Sequence, residues 1–248
     1  MVKSNWFRIM SVYVISDLHG CLDEFRQMLA LIRFSEYDEM YIVGDICDRG
    51  RYPIDTLRLI MAHRNMHVIY GNHDIWLAHY TADLIKGKKQ SSHLYYMDID
   101  FQNWLYNNGG MITANQFMDC EYPVCYDIQH YLEGCDFYRE LEVNGNRYLL
   151  VHAGLGSYAK PGVRICEVPA MELVWSHIGL DDNPFEDVTM IVGHMPTFMY
   201  GPSYDGKIAH GRNLLHIDCG CVFGRTLGCI RLNDMQEFYV PSTYPLLK

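Results

Sequence analysis

The sequence predicts an α/β fold in which a β-α-β-α-β unit comes first and a strand-rich second half packs another sheet onto it. Three observations predict this. Short apolar runs alternate with stretches of helical apolar spacing, clusters of polar residues fall directly after the apolar runs, and further strand-like runs follow a tyrosine-rich middle segment.

Val12-Tyr13-Val14-Ile15 reads as a buried strand, after which Leu22, Phe25, Leu29 and Ile32 recur at helical spacing. Met40-Tyr41-Ile42-Val43 is the second strand. Pro53, favoured at a first helical position, then opens a helix with Ile54, Leu57, Ile60 and Met61 on one face. Val68-Ile69-Tyr70 is the third strand. Such a unit is expected to form a parallel sheet with right-handed crossovers and both faces covered, and to bind ligands at the carboxyl ends of its strands.

From about 78 to 140 the pattern turns helix-like, with Phe101, Trp104 and Leu105 ahead of Asn107-Asn108-Gly109-Gly110. No Pro/Gly/Ser linker bounds this stretch, so it is read as a helical insertion within one domain spanning 1–248. Strands resume at Tyr148 to Val151, Met190 to Val192, Leu214 to Ile217 and Gly228 to Leu232.

Hydrophobic residues make up 49% and charged residues 20% of the 248-residue chain, a balance that predicts folding throughout. The formal net charge of -10 argues against a nucleic-acid partner, which would need a basic patch. Nine cysteines without a paired CxxC motif predict reduced thiols. The apolar stretch Ser11 to Ile15 is too short for a signal-peptide core, and no segment reaches the roughly 18 apolar residues of a membrane span. A cytoplasmic location without membrane partners is therefore expected, as a monomer or weak oligomer.

The chemistry is carried by five pieces, each just after an expected strand: Asp17-Leu18-His19-Gly20, Gly44-Asp45-Ile46-Cys47-Asp48-Arg49-Gly50, Gly71-Asn72-His73-Asp74, Val151-His152-Ala153-Gly154 and Gly193-His194. Any one Asp or His at a strand end could cap a helix or close a turn. The first three converge on one sheet edge, and five such pieces together, each at a strand end and all with ligand chemistry, point instead to a metal site. Mixed carboxylate, amide and imidazole donors suit Mn²⁺, Fe or Zn²⁺ better than Ca²⁺.

These pieces, with the segment Ile217-Asp218-Cys219-Gly220-Cys221-Val222-Phe223-Gly224, resemble the signature series of the phosphoprotein phosphatase family of calcineurin-like metallophosphoesterases. Trp104-Leu105 with Gly109-Gly110, and Trp175-Ser176, also resemble landmarks of that family. The resemblance implies two packed mixed sheets flanked by helices in a four-layer sandwich, with two divalent cations, foremost Mn²⁺, at one end. It implies that Asp17, His19 and Asp45 hold the first cation and that Asp45, Asn72, His152 and His194 hold the second. A hydroxide shared between the cations would attack phosphorus. Arg49 and Asn72 would hold the phosphate, His73 would be the general acid, and Asp48 would orient its ring.

Phage and bacterial members of that family carry a phosphate-contacting arginine in the stretch that here reads Trp175-Ser176-His177; either His177 takes its place, Arg164 or Arg212 reaches the site from another loop, or phosphate is held more weakly. Asp74 and Asp218 are read as structural or orienting residues. His63, His67, His79, His93, His130, His210 and His216 lie outside the motifs and are read as structural or surface residues. The expected substrate is a phosphoprotein or a phosphorylated small molecule. Phosphoserine and phosphothreonine hydrolysis is the favoured activity, with symmetrical diadenosine tetraphosphate hydrolysis as the alternative. A catalytically silent module binding phosphorylated partners is remote, because Asp45, Asp48, Arg49 and His73 are all present.

Overall fold

A computed structural model describes residues 10–90, 94 and 97–246; His93 lies outside them. The opening unit is β1 (Val12–Ile15), α1 (Leu22–Leu31), β2 (Glu39–Val43), α2 (Pro53–Met61) and β3 (Met66–Ile69). Helices α3 (Asn72–Lys89), α4 (Ile99–Asn107), α5 (Gly110–Asp119) and α6 (Tyr122–Glu133) follow. The second half contains β4 (Tyr138–Val143), β5 (Asn146–Val151), α7 (Ala170–Trp175), β6 (Val188–Val192), β7 (Ala209–Gly211), β8 (Leu214–His216), β9 (Thr226–Arg231) and β10 (Gln236–Pro241).

Two five-stranded mixed sheets result. The first has the order β10-β9-β1-β2-β3 and the second β4-β5-β6-β8-β7. Strands β1, β2 and β3 are mutually parallel, as are β5, β6 and β8, while β4, β7 and the β9–β10 pair run antiparallel at the edges.

The period-two alternation of β1 explains the layering. Val12 and Val14 point into an apolar layer shared with Tyr148, Leu150, Ile191 and Leu215 of the second sheet. Tyr13 and Ile15 point the other way, into a core built with Phe25 and Met28 of α1, Ile54 and Leu57 of α2, and Leu77, Trp104, Phe117 and Ile128 of the later helices. A third cluster, including Leu149, Val151 and Met190, covers the outer face of the second sheet beneath Leu155, Leu173 and Ile178. The expected two-face coverage of the opening sheet is thus met by helices on one face and a second sheet on the other.

Two expectations about the middle of the chain need correction. Helix α3 starts at Asn72, six residues before the expected insertion, because Asp74 accepts from the Gly71 amide at 3.1 Å and caps the first turn. Residues 138–140, expected to be helical, begin β4. That strand forms a hairpin with β5 through Asn144-Gly145, whose φ angles of 52° and 79° suit a tight reversing turn.

All nine cysteines are unbridged. Among the described residues, no helix is long and apolar enough to cross a membrane.

Candidate metal centre

The loops after β1 and β2 are laced together by backbone hydrogen bonds from Asp17 to Gly44 at 3.0 Å, His19 to Asp45 at 2.8 Å and Gly20 to Ile46 at 2.8 Å. In the second sheet the Gly193 amide donates to the His152 carbonyl at 2.9 Å. These links bring the strand ends of both sheets to one edge. Close approach there requires glycine: a Cβ on Gly71 would stand 2.2 Å from Asp45 Oδ1, and one on Gly44 would stand 2.6 Å from His152 Nδ1.

Backbone strain gathers at the same place. Asp17, His19, Asp45, Asp48, Arg49 and His194 all have φ between 40° and 71°. Left-handed backbone at a non-glycine residue costs on the order of 1–3 kcal/mol, and it concentrates where a fixed constellation must be presented.

The side chains form two close triads, His19 with Asp45 and His73, and Asp45 with His152 and His194. Asp45 belongs to both. Asn72 Oδ1 completes the second group, lying 3.1 Å from His152 Nε2 and 3.1 Å from His194 Nδ1. Asp17 belongs to neither triad; its carboxylate accepts from the His194 amide at 3.1 Å. Asp17, Asp45, Asn72, His19, His73 and His152 are all buried.

The outer nitrogens of two imidazoles are engaged by carbonyls: His19 Nδ1 meets Cys47 O at 2.8 Å and His152 Nδ1 meets Val43 O at 2.9 Å. In the neutral rings each Nε2 therefore carries a lone pair facing inward. His152 Nε2 faces Asn72 Oδ1 and, at 3.4 Å, Asp45 Oδ1. Electron-rich atoms converging in this way repel unless a proton or cation stands among them, so the donor set fits a divalent metal.

The titration behaviour has the same cause. Burial would raise the Asp45 carboxyl, but His152, His73 and His19 outweigh it and hold Asp45 well below the usual carboxylate range. His152, which burial alone would depress, is pushed up to about 10 by Asp45 and Asp17. Burial followed by repulsion from Asp218 raises Asp17. Burial and the neighbouring His152 lower His194 to about 3.

Beside the triads, His73 Nδ1 lies 2.7 Å from Asp48 Oδ2. Trp104 Nε1 donates to the same oxygen at 2.8 Å, and Thr113 Oγ1 donates to Oδ1 at 2.6 Å. Trp104 was legible only as a family landmark, and Thr113 carries no sequence signal at all. Arg49 Nη1 donates to His19 Nε2 at 2.7 Å, with Phe223 beneath the guanidinium at 5.6 Å. Asp74 holds the β2 loop, accepting from the Ile46 and Cys47 amides at 2.9 and 3.2 Å.

Of the three candidates for the missing arginine, only His177 is near, stacked on His194 at 5.2 Å between centroids. Arg164 pairs with Glu167 at 3.2 Å and lines a groove with Arg147 and Val188, at the starts of β5 and β6. Arg212 lies in the β7–β8 turn, before the start of β8. Both stand at the edge of the second sheet opposite the site. The discounted histidines have local partners: His63 with Leu59 O, His67 with Glu39, His79 with Tyr80, His130 with Glu133, His210 with Glu237 and His216 with Tyr200.

Residues 10–218 match the calcineurin-like phosphoesterase family. The symmetrical bis(5'-nucleosyl)-tetraphosphatase of Actinobacillus pleuropneumoniae serotype 3 is 35% identical over 278 residues, covering 92% of this chain and 98% of that protein. The enzyme of the same name from Methylobacillus flagellatus is 23% identical, covering 94% and 95%. A solved structure described as a candidate diadenosine tetraphosphatase superposes with a TM-score of 0.60 at 16% identity, covering 94% of each chain, a likeness that bears on the fold.

Proposed function

The chain belongs to the calcineurin-like phosphoesterase family, and from that premise we propose that it is a dinucleoside polyphosphate hydrolase, splitting diadenosine tetraphosphate symmetrically. Water adds at one of the two central phosphorus atoms, the central P–O–P bridge breaks, and two ADP leave. The observation that carries the hydrolytic reading is the convergence of His152, Asn72, His194 and Asp45 on one point with inward-facing lone pairs. Relatives matched along almost their whole length favour the dinucleotide over the phosphoprotein substrate that the motifs alone favoured.

In this reading Asp45, His19 and Asp17 hold one divalent cation, and Asp45, Asn72, His152 and His194 the other, with Mn²⁺ the foremost candidate. Cations held there supply positive charge to the phosphate oxygens and lower the pKa of bound water. The remaining work falls to the protein. Arg49 presents a planar pair of N–H groups to two phosphate oxygens. The guanidinium stands at the centre itself, its Nη1 donating to His19 Nε2 at 2.7 Å, the lone pair that would also serve a cation. Asn72, with Oδ1 turned to the imidazoles, keeps its N–H groups for phosphate.

His73, carrying a proton on Nε2, gives it to the departing oxygen, and Asp48, accepting from Nδ1–H, keeps the ring oriented for that transfer. His177, stacked on His194, is the second donor to phosphate in place of the arginine. We read the two sheets and helices α3–α6 as one domain, since the helices share a single apolar cluster with the first sheet.

The test is turnover by metal-stripped, Mn²⁺-reconstituted protein of diadenosine tetraphosphate beside a phosphoserine or phosphothreonine peptide. Predominant ADP release supports the proposal. Faster phosphate release from the peptide restores the phosphatase reading, and inactivity on both refutes the catalytic assignment.

A further inference from the structure

A groove of about 630 Å³ opens beside the candidate metal centre, beginning at Asn72 and lined by Trp76, Asp100, Asn103, Met171 and Trp175. Trp76, on the second turn of α3, stands edge-to-face on the His73 ring, with centroids 5.5 Å apart and planes at 83°. Trp175, the last residue of α7, meets Trp76 in the same manner at 5.0 Å and 75°. An aromatic series therefore runs from the group assigned to protonate the leaving oxygen out to the groove wall. A group bonded to the departing oxygen would lie along this series.

The chemistry of the wall narrows the occupant. Trp175 is 37% exposed and Met171 55%, large apolar side chains that the core does not employ. Exposed aromatic surface beside a catalytic centre suits a flat, uncharged ring system, which gains dispersion from stacking. Asp100 and Glu172, also in the lining, repel phosphate and so favour the uncharged end of a nucleotide. Their carboxylates can accept from an exocyclic amine. Asn103 Oδ1 accepts from Asn107 at 3.0 Å, and its own amide N–H groups can donate to a ring nitrogen.

We propose that this groove is the nucleobase subsite: the base of the departing nucleotide stacks on Trp175 against Trp76, while Asp100 and Asn103 read its edge. The inference rests on the dinucleoside polyphosphate reading above and adds the residues that select for a base. A peptide with basic residues around its phosphorylated side chain is the competing occupant, since the same carboxylates would attract it.

The test uses the full-length, Mn²⁺-loaded protein. Tryptophan fluorescence is titrated with ADP and with pyrophosphate, and the Michaelis constant for diadenosine tetraphosphate is compared between the native protein, Trp175→Ala and Trp175→Phe. ADP should quench fluorescence where pyrophosphate does not, and Trp175→Ala should abolish most of that quenching. The same variant should raise the Michaelis constant by roughly 5- to 150-fold, the range of one base–aromatic stack, with Trp175→Phe recovering most of it.

Equal quenching by ADP and pyrophosphate, or an unchanged Michaelis constant in Trp175→Ala, overturns the subsite. Displacement of ADP-induced quenching by a basic-flanked phosphopeptide at lower concentration than by adenosine overturns it in favour of a peptide groove. The two readings fail separately. ADP-specific quenching without dinucleotide turnover leaves the subsite standing and removes the activity, whereas dinucleotide turnover unaffected by Trp175→Ala does the reverse.

Discussion

Replacing Thr113 by valine tests whether the Asp48 carboxylate is held by a closed network. Thr113 Oγ1 donates to Asp48 Oδ1 at 2.6 Å and accepts from the Asp48 amide at 2.9 Å, so one hydroxyl serves two buried groups. Valine keeps the shape and the β-branch within α5 but removes both bonds. Losing a hydrogen bond to a charged group costs about 1.5–3 kcal/mol, and an orphaned buried N–H adds about 1–3 kcal/mol.

The expected loss of stability is therefore about 2.5–6 kcal/mol, a large part of the roughly 5–15 kcal/mol of an ordinary domain. Activity should suffer far less. Oδ2 keeps Trp104 at 2.8 Å and His73 at 2.7 Å, so the ring assigned as general acid stays oriented. Turnover at low temperature should fall well short of the ~10²- to 10⁴-fold loss that removing a general acid brings. Urea denaturation in chelator, which keeps cation binding out of the balance, measures the first quantity, and Mn²⁺-saturated turnover measures the second. A stability loss under about 1 kcal/mol would refute the closed network. A turnover loss beyond ~10²-fold would show that Oδ1, not Oδ2, governs His73.

Two further outcomes bear on the site and the fold. Gly71→Ala places a Cβ 2.2 Å from Asp45 Oδ1 and 2.3 Å from its amide nitrogen, so Asp45 must move; bound Mn²⁺ per chain, measured by elemental analysis, should drop, and an unchanged count would mean that Asp45 is not the shared ligand. His216 is buried, and burial lowers it to about 4. Tyr200 Oη donates to Ile178 O, so His216 Nδ1 donates to Tyr200, and Nε2 has no partner to receive a proton's N–H. A folded pKa below the unfolded value of about 6.5 means that the unfolded chain binds the proton first. Its stabilising contribution is present above pH 6.5 and lost as pH falls toward 4, by about 2 kcal/mol between pH 7 and 5. The urea midpoint of His216→Leu should fall less across that interval than that of the native protein, and parallel declines would sink the assignment.

Much of this arrangement was legible in the sequence because its signals are local. The alternation within Val12–Ile15 divides the two core layers, and the donor residues follow β1, β2, β3, β5 and β6 directly. What escaped depended on other parts of the chain or on a local signal not used. The hairpin β4–β5 was announced by Asn144-Gly145 between two alternating runs, yet the tyrosine-rich stretch before it hid the change of period. The early start of α3 depends on the Asp74 carboxylate, which reads equally well as a loop residue. Thr113 reaches Asp48 across 65 positions, and no spacing rule links residues so far apart. The separation of Arg164 and Arg212 from the site follows from strand direction, which becomes known only when β5, β6 and β8 are seen to run parallel.

The donor constellation is held in place against an energetic cost. Left-handed backbone at Asp17, His19, Asp45, Asp48, Arg49 and His194 and the buried carboxylates of Asp17 and Asp218 all oppose folding. They are tolerated because each loop is anchored by strands buried on both faces, so moving one donor out of place would tear a ladder or open the layer between the sheets. Imidazoles relieve part of the repulsion, as the depressed Asp45 and elevated His152 record. That relief is incomplete: burial and repulsion from Asp218 push Asp17 upward, and burial and the nearby Asp45 raise Asp218. A divalent cation held among these donors would supply the positive charge that offsets what remains, with His19 Nε2, which accepts from Arg49, among the atoms that would hold it.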